Sequence, residues 1–206
     1  MGRKVKEILL KKDIATGCLE RREMEALQLF ENHVQVKEIE AAEWRPWQRE
    51  MFEYLHIPTQ RTIIWLVGEK GNEGKTFFQH RIEQQYGEHR VFQTGLIHST
   101  RDTLRIMKKY VYIETDIFLF DIPRSMHLSG EHYELFESIK DGCVTSIKYN
   151  TKNMRFTTPN VLMVFSTREP DCDMFSHDRW IILKISEDFT GLTDITDGVN
   201  KKKKMV

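Results

Sequence analysis

Apolar strands that alternate with helical segments predict an α/β fold: a mostly parallel sheet with helices on both faces, preceded by a small helical segment. Two observations carry the expectation. Ile63-Ile64-Trp65-Leu66-Val67, Val161-Leu162-Met163-Val164-Phe165 and Trp180-Ile181-Ile182-Leu183 are continuous apolar runs, the pattern of strands buried on both faces. The first run ends in a glycine-rich turn and passes directly into a helix-compatible stretch, Phe77-Phe78-Gln79-His80-Arg81-Ile82.

The elements follow in chain order. Residues 1–43 are charged, with Met24, Leu27, Phe30 and Val34 at helical spacing, which suits a helical linker or oligomerisation segment. Trp44 to Leu55 has Pro46 at a first helical position and stops before Pro58, with Trp47, Met51, Tyr54 and Leu55 able to face a core. Strands are expected at 63–67 and 90–94, and a helix from Ser99 to Met107. Tyr110 to Glu114 and Ile117 to Asp121 form an apolar stretch ending in an acid. A helix is expected over 133–140, with Leu135, Phe136 and Ile139 on one face. Ser146–Tyr149 and Met154–Thr157 flank a short polar turn and predict a hairpin. Strands at 160–167 and 180–185 complete a domain spanning 44–190, and 191–206 reads as a basic, flexible tail.

The turn after the first strand carries the chemistry. Gly68, Gly71 and Gly74 let the backbone curl so that successive N–H groups, including those of Asn72 and Glu73, point at phosphate oxygens. The following helix adds its positive end. Lys75 would reach the β- and γ-phosphates of ATP, and the Thr76 hydroxyl would ligate Mg²⁺. The general pattern G-x-x-x-x-G-K-[ST] calls for glycine at position 69, where this chain has Glu69. A plain glycine-rich strand-to-helix turn is the alternative.

A nucleotide site also needs an acid at the end of a neighbouring strand, and Asp121 fits as the second Mg²⁺ ligand. Its neighbour is Ile122 rather than a second acid, so no general base is evident. Thr167, at the tip of the 161–165 run, is placed to sense the γ-phosphate; an ordinary loop hydroxyl is the alternative. Arg179 precedes a strand on a turn and could act as an arginine finger in a neighbouring subunit, or pair with Asp178 at the surface. Lys148, Tyr149 and Lys152 on the hairpin combine cations with a ring, a pattern suited to single-stranded nucleic acid; a solvated face is the alternative.

Composition narrows the setting. Lysine and arginine together number 31, as do aspartate and glutamate, so any nucleic-acid site must be local. Cys18, Cys143 and Cys172 are isolated and read as free thiols of a reducing compartment. No run is long enough for a membrane span, so an intracellular protein with no membrane partner is expected. The terminal lysines 201–204 suit a weak nuclear-import signal.

Trp44-Arg-Pro-Trp-Gln, Trp65-Leu-Val-Gly-Glu-Lys-Gly-Asn-Glu-Gly-Lys-Thr, Phe120-Asp-Ile-Pro-Arg-Ser, Lys140-Asp-Gly-Cys-Val-Thr-Ser-Ile-Lys-Tyr, Val164-Phe-Ser-Thr and Asp178-Arg-Trp occur in that order. Together they resemble the superfamily 3 helicase domain of replication-initiator (Rep) proteins of small circular single-stranded DNA viruses, in the nanovirus and alphasatellite branch. The glycine spacing and the single acid of Asp121-Ile122-Pro123-Arg124 match that branch. The resemblance implies an AAA+-like P-loop ATPase that forms a homo-oligomeric, hexameric ring and moves on single-stranded DNA during rolling-circle replication in the host nucleus. It places Lys75 and Thr76 in Walker A, Asp121 in Walker B, and Lys140, Gly142, Lys148 and Tyr149 in the B′ region. Thr167 falls where the family has a sensor asparagine, and Arg179 at the arginine finger. No counterpart of the family's nicking domain is found in these residues, so the chain is not expected to nick DNA. A non-catalytic Rep-derived binding module and an RNA helicase are the alternatives.

Overall fold

A computed structural model describes residues 42–57, 60–94, 100–145 and 153–198. The chain divides into two units, 1–43 and 44–206, and almost all described residues belong to the second. Its elements are α1 (Pro46–Glu53), β1 (Ile63–Val67), α2 (Lys75–Tyr86), β2 (Val91–Thr94), α3 (Thr100–Tyr110), β3 (Ile117–Asp121), α4 (Gly130–Lys140), β4 (Cys143–Thr145), β5 (Asn153–Arg155), β6 (Val161–Ser166), β7 (Trp180–Ile185) and β8 (Leu192–Asp194).

Six strands form one sheet in the order β2-β3-β6-β1-β7-β8, and all are parallel except the antiparallel edge strand β8. Alternate residues of each strand point to opposite faces, so each apolar run fills two cores. Ile63, Trp65, Val67, Phe118, Phe120, Leu162 and Val164 pack with Met107 of α3 and Leu135, Phe136 and Ile139 of α4. Ile64, Leu66, Leu119, Met163 and Phe165 pack with Trp47 and Met51 of α1 and Phe78 and Ile82 of α2. Helices thus cover both faces, as the unbroken apolar runs predict.

Three expectations shift. Only the second half of the apolar stretch is buried strand: α3 runs to Tyr110, and Tyr110, Tyr112 and Ile113 are exposed. The hairpin lies closer to α4 than expected, with β4 and β5 paired as a separate two-stranded sheet in the register Cys143↔Arg155 and Thr145↔Asn153. Its tip, with Lys148, Tyr149 and Lys152, lies outside the described residues, as does most of the 1–43 segment. Leu192–Asp194, expected in the tail, instead pairs with β7. The Glu50 carboxylate anchors that strand by accepting the Leu192 N–H at 2.9 Å.

Candidate phosphate-binding site

Strand order and register decide what can meet. β6 lies between β1 and β3, with Val67 opposite Ser166 and Phe165 opposite Asp121. The C-terminal ends of all three strands therefore share one edge. The loop leaving β1, Asp121 at the end of β3 and Thr167 just past β6 converge there. The Gly68 N–H ties the loop to its neighbour by donating to the Ser166 carbonyl at 2.8 Å.

The loop is tightly built. Asn72 and Gly74 have φ of 60° and 86°, the left-handed turns that make a concave run of backbone N–H groups. A Cβ on Gly68 would collide with the Glu73 carboxylate and the Lys75 ammonium, so a side chain there would have to push that ion pair aside. Lys75, the first residue of α2, donates from Nζ to the Gly68 carbonyl at 2.9 Å and to Glu73 Oε2 at 2.5 Å. The other carboxylate oxygen of Glu73 accepts the Lys70 N–H at 2.8 Å, and the residue is only 4% exposed. Thr76 is exposed beside Lys75 at the helix start.

Asp121 belongs to the same electrostatic unit. Partial burial pushes its carboxyl pKa up, while Lys75 and then Gln79 pull it back down. Gln79 reaches the site from α2, 1% exposed, with its amide beside the Asp121 carboxylate. Arg124, three residues past Asp121, donates from Nη2 to the Glu69 carbonyl at 3.1 Å. Lys184 pairs with the Glu69 carboxylate at 2.8 Å. Cations from two neighbouring elements therefore rim the loop.

A second set of contacts comes from α1 and the residue before it. Arg45 Nη1 donates to the Asn72 carbonyl at 2.7 Å, Trp47 Nε1 to that of Glu73 at 3.1 Å, and Gln48 Nε2 to that of Gly74 at 2.9 Å. Sequence reasoning assigned Trp47 to the core and gave Arg45 and Gln48 no role. The signal was the Trp44-Arg-Pro-Trp-Gln phrase, which marks these residues without saying what they touch.

Arg179 is not brought to this edge. Ile63 faces Trp180 and Val67 faces Lys184, so Arg179 stands at the opposite end of the sheet, roughly 16 Å of strand from the loop. It bonds Glu137 of α4 at 2.9 Å and lies over the Phe175 ring. Asp178, the surface partner expected as the alternative, lies 3.9 Å from Arg61. At the hairpin base Lys140 is buried and donates to the Asn160 carbonyl. Burial lowers its pKa from 10.5 to about 8. Gly142 turns the chain at φ 69°, where a Cβ would strike Thr158.

The chain is 32% identical over 151 residues to Para-Rep C1 of Faba bean necrotic yellows C1 alphasatellite, covering 72% of this chain and 50% of that protein. It is 30% identical over 145 residues to the master replication protein of Subterranean clover stunt virus, covering 68% and 47%. Over these spans the chain is a homologue of nanovirus and alphasatellite replication-initiator (Rep) proteins. Para-Rep C7 of Faba bean necrotic yellows C7 alphasatellite is similar at 31% over 155 residues. The chain spans about half the length of the Rep relatives it matches. No model of a protein family matches it. Among the described residues no helix is long and apolar enough to cross a membrane, and no group of three or more His, Cys, Asp or Glu side chains could alone hold a metal.

Proposed function

We propose that this Rep homologue is an ATP hydrolase and helicase that uses ATP to move along single-stranded DNA in rolling-circle replication. The observation that carries the reading is the meeting of Lys75, Thr76 and Asp121 at one sheet edge, with β6 between their strands. The donor set fits a nucleotide. Gly68 lets Lys75 fold back over the loop backbone, two left-handed residues curl the loop, and Lys75 is the cation for the β- and γ-phosphates. Thr76 and Asp121 are hard oxygen donors of the kind Mg²⁺ takes alongside phosphates and water. Bound Mg²⁺ would neutralise charge between the phosphates.

The protein's own contributions are position and charge. Lys75 balances negative charge on the transferred group. Thr167 stands at the end of β6 to orient a polar group beside it. Arg179 points away from its own loop, so as a finger it serves a neighbouring protomer's site in a ring, after leaving Glu137. The hairpin that β4 and β5 begin supplies Lys148, Tyr149 and Lys152 as the DNA track. A hexameric ring in the host nucleus is the assembly and setting this reading expects.

Thr167 in the sensor position favours a second reading, a module that binds nucleotide and nucleic acid with little turnover. ATP turnover measured alone, with single-stranded DNA and with RNA separates the readings. Turnover stimulated by DNA and lost in Lys75→Ala is the expected result. Stimulation by RNA alone would make the track an RNA track, and nucleotide binding without turnover would leave the module.

A further inference from the structure

We infer that Arg45, Trp47 and Gln48 are positioning residues that set nucleotide affinity by fixing the backbone of the phosphate loop from behind. The inference rests on the nucleotide reading and extends it to a part of the chain to which that reading assigns nothing.

Three consecutive carbonyls, of Asn72, Glu73 and Gly74, each accept a hydrogen bond from one of three side chains within four residues of one another. In a trans peptide the carbonyl of one residue and the N–H of the next point in opposite directions. Drawing these carbonyls toward α1 therefore turns the N–H groups of Glu73, Gly74 and Lys75 to the other side, into the loop's concavity. Those are the donors that an anion at a helix N-terminus uses. The Gly74 carbonyl also accepts the Phe78 N–H of α2 at 3.0 Å, so Gln48 reinforces a group the helix already aims, while Arg45 and Trp47 hold those of Asn72 and Glu73.

The clamp is itself held. Gln48 Oε1 accepts the Arg45 N–H at 2.9 Å, which fixes the amide so that Nε2 faces Gly74. Trp47 is fully buried and packs against Phe78, the fourth residue of α2. Arg45 lies over the Phe189 ring, 5.0 Å from Cζ to centroid, which limits its freedom before it reaches Asn72. A Cβ on Gly74 would meet Gln48 Nε2 at 2.9 Å, so loop and clamp are fitted to each other. Preorganised donors bind an anion without the ordering cost that a mobile loop must meet.

The test is calorimetric titration of the whole chain with Mg·ADP. Arg45→Met and Gln48→Met each remove a donor while keeping an apolar stem, and Arg49→Met is the control for a lost charge on the same helix. Each clamp variant is expected to weaken Mg·ADP binding several-fold and the pair about tenfold or more. The thermal midpoint of Arg45→Met should stay near wild type, and Arg45→Lys should recover part of the affinity. If wild type binds Mg·ADP and the clamp variants match Arg49→Met, the inference falls and the nucleotide reading stands. If wild type does not bind, the reading falls and takes the inference with it. Should Gln48→Met fail to fold, Arg45→Met, on a less buried residue, decides alone.

Discussion

The Glu73 carboxylate lies 2.5 Å from the Lys75 ammonium, within the loop to which both belong. Its second oxygen accepts the Lys70 N–H. On the nucleotide reading these are donors that a β-phosphate would use, and Glu73 would compete for them. A charge-assisted bond is about twice as strong as a neutral one. Glu73→Gln keeps the shape and an acceptor but removes the charge and its repulsion of phosphate. It is expected to bind Mg·ADP roughly five- to tenfold tighter. Unchanged or weaker binding would show that Glu73 serves the nucleotide directly.

The same pair governs what Lys75→Ala does. Turnover should fall at least a hundredfold, by about 3 kcal/mol or more in the barrier. The variant also leaves Glu73 buried without its cation, a penalty of about 1–3 kcal/mol. Adding Glu73→Gln to Lys75→Ala should restore much of that stability in urea and none of the turnover. A single variant as stable as wild type would mean that Glu73 readily reaches water.

Much of this was legible in the sequence, for a physical reason. Strands buried on both faces must be apolar throughout, so β1, β6 and β7 announce themselves; a glycine loop between strand and helix locates Lys75, and an acid closing an apolar run locates Asp121. Other features have no such signal. β8 is three residues with Thr193 and Asp194 exposed, and it is held in part by Glu50, 142 residues away. The aromatic run Tyr110–Ile113 looks like a strand, yet three of its four residues face outward. Glu73 reads as a loop residue until its carboxylate is seen folded inward. Arg179 reads as an arginine finger or a surface partner of Asp178, and neither reading points to Glu137, far off in sequence, which is seen beside it.

Lys140 makes stability depend on pH in a way that isolates one group. Its pKa is about 8 in the folded chain against an ordinary 10.5. Below pH 8 both states carry the proton and the full burial penalty is felt. Between 8 and 10.5 the unfolded chain holds the proton and the folded chain does not, so stability rises with pH. Lys140→Met cannot show this rise. Wild type should gain ~2 kcal/mol relative to Lys140→Met between pH 7 and pH 9.5 in urea unfolding. Parallel profiles for the two proteins would refute the assignment.

At the hairpin, Lys148→Ala with Lys152→Ala should weaken single-stranded DNA binding at every sequence. Each lost phosphate contact should remove about 0.7 from the logarithmic salt slope. Basal ATP turnover should survive, because the strands of the hairpin form a sheet separate from the one that carries the loop. Unchanged affinity and slope would move the track elsewhere.

Arg179 gives the sharpest test of assembly, because its place in the fold separates two explanations. It stands at the end of the sheet opposite Lys75, bonded to Glu137. Arg179→Ala should therefore leave Mg·ADP affinity within about twofold of wild type, since no step of binding within one protomer reaches it. A finger lost from a neighbour's site should cost turnover about a thousandfold. Mixing Arg179→Ala with Lys75→Ala protein should then restore activity at interfaces that join an intact loop to an intact finger. Glu137→Gln, which loosens the resting contact, should leave turnover intact or raise it. If Arg179→Ala lowers the thermal midpoint together with turnover, and mixed oligomers show no rescue, the Glu137 contact is the residue's whole role.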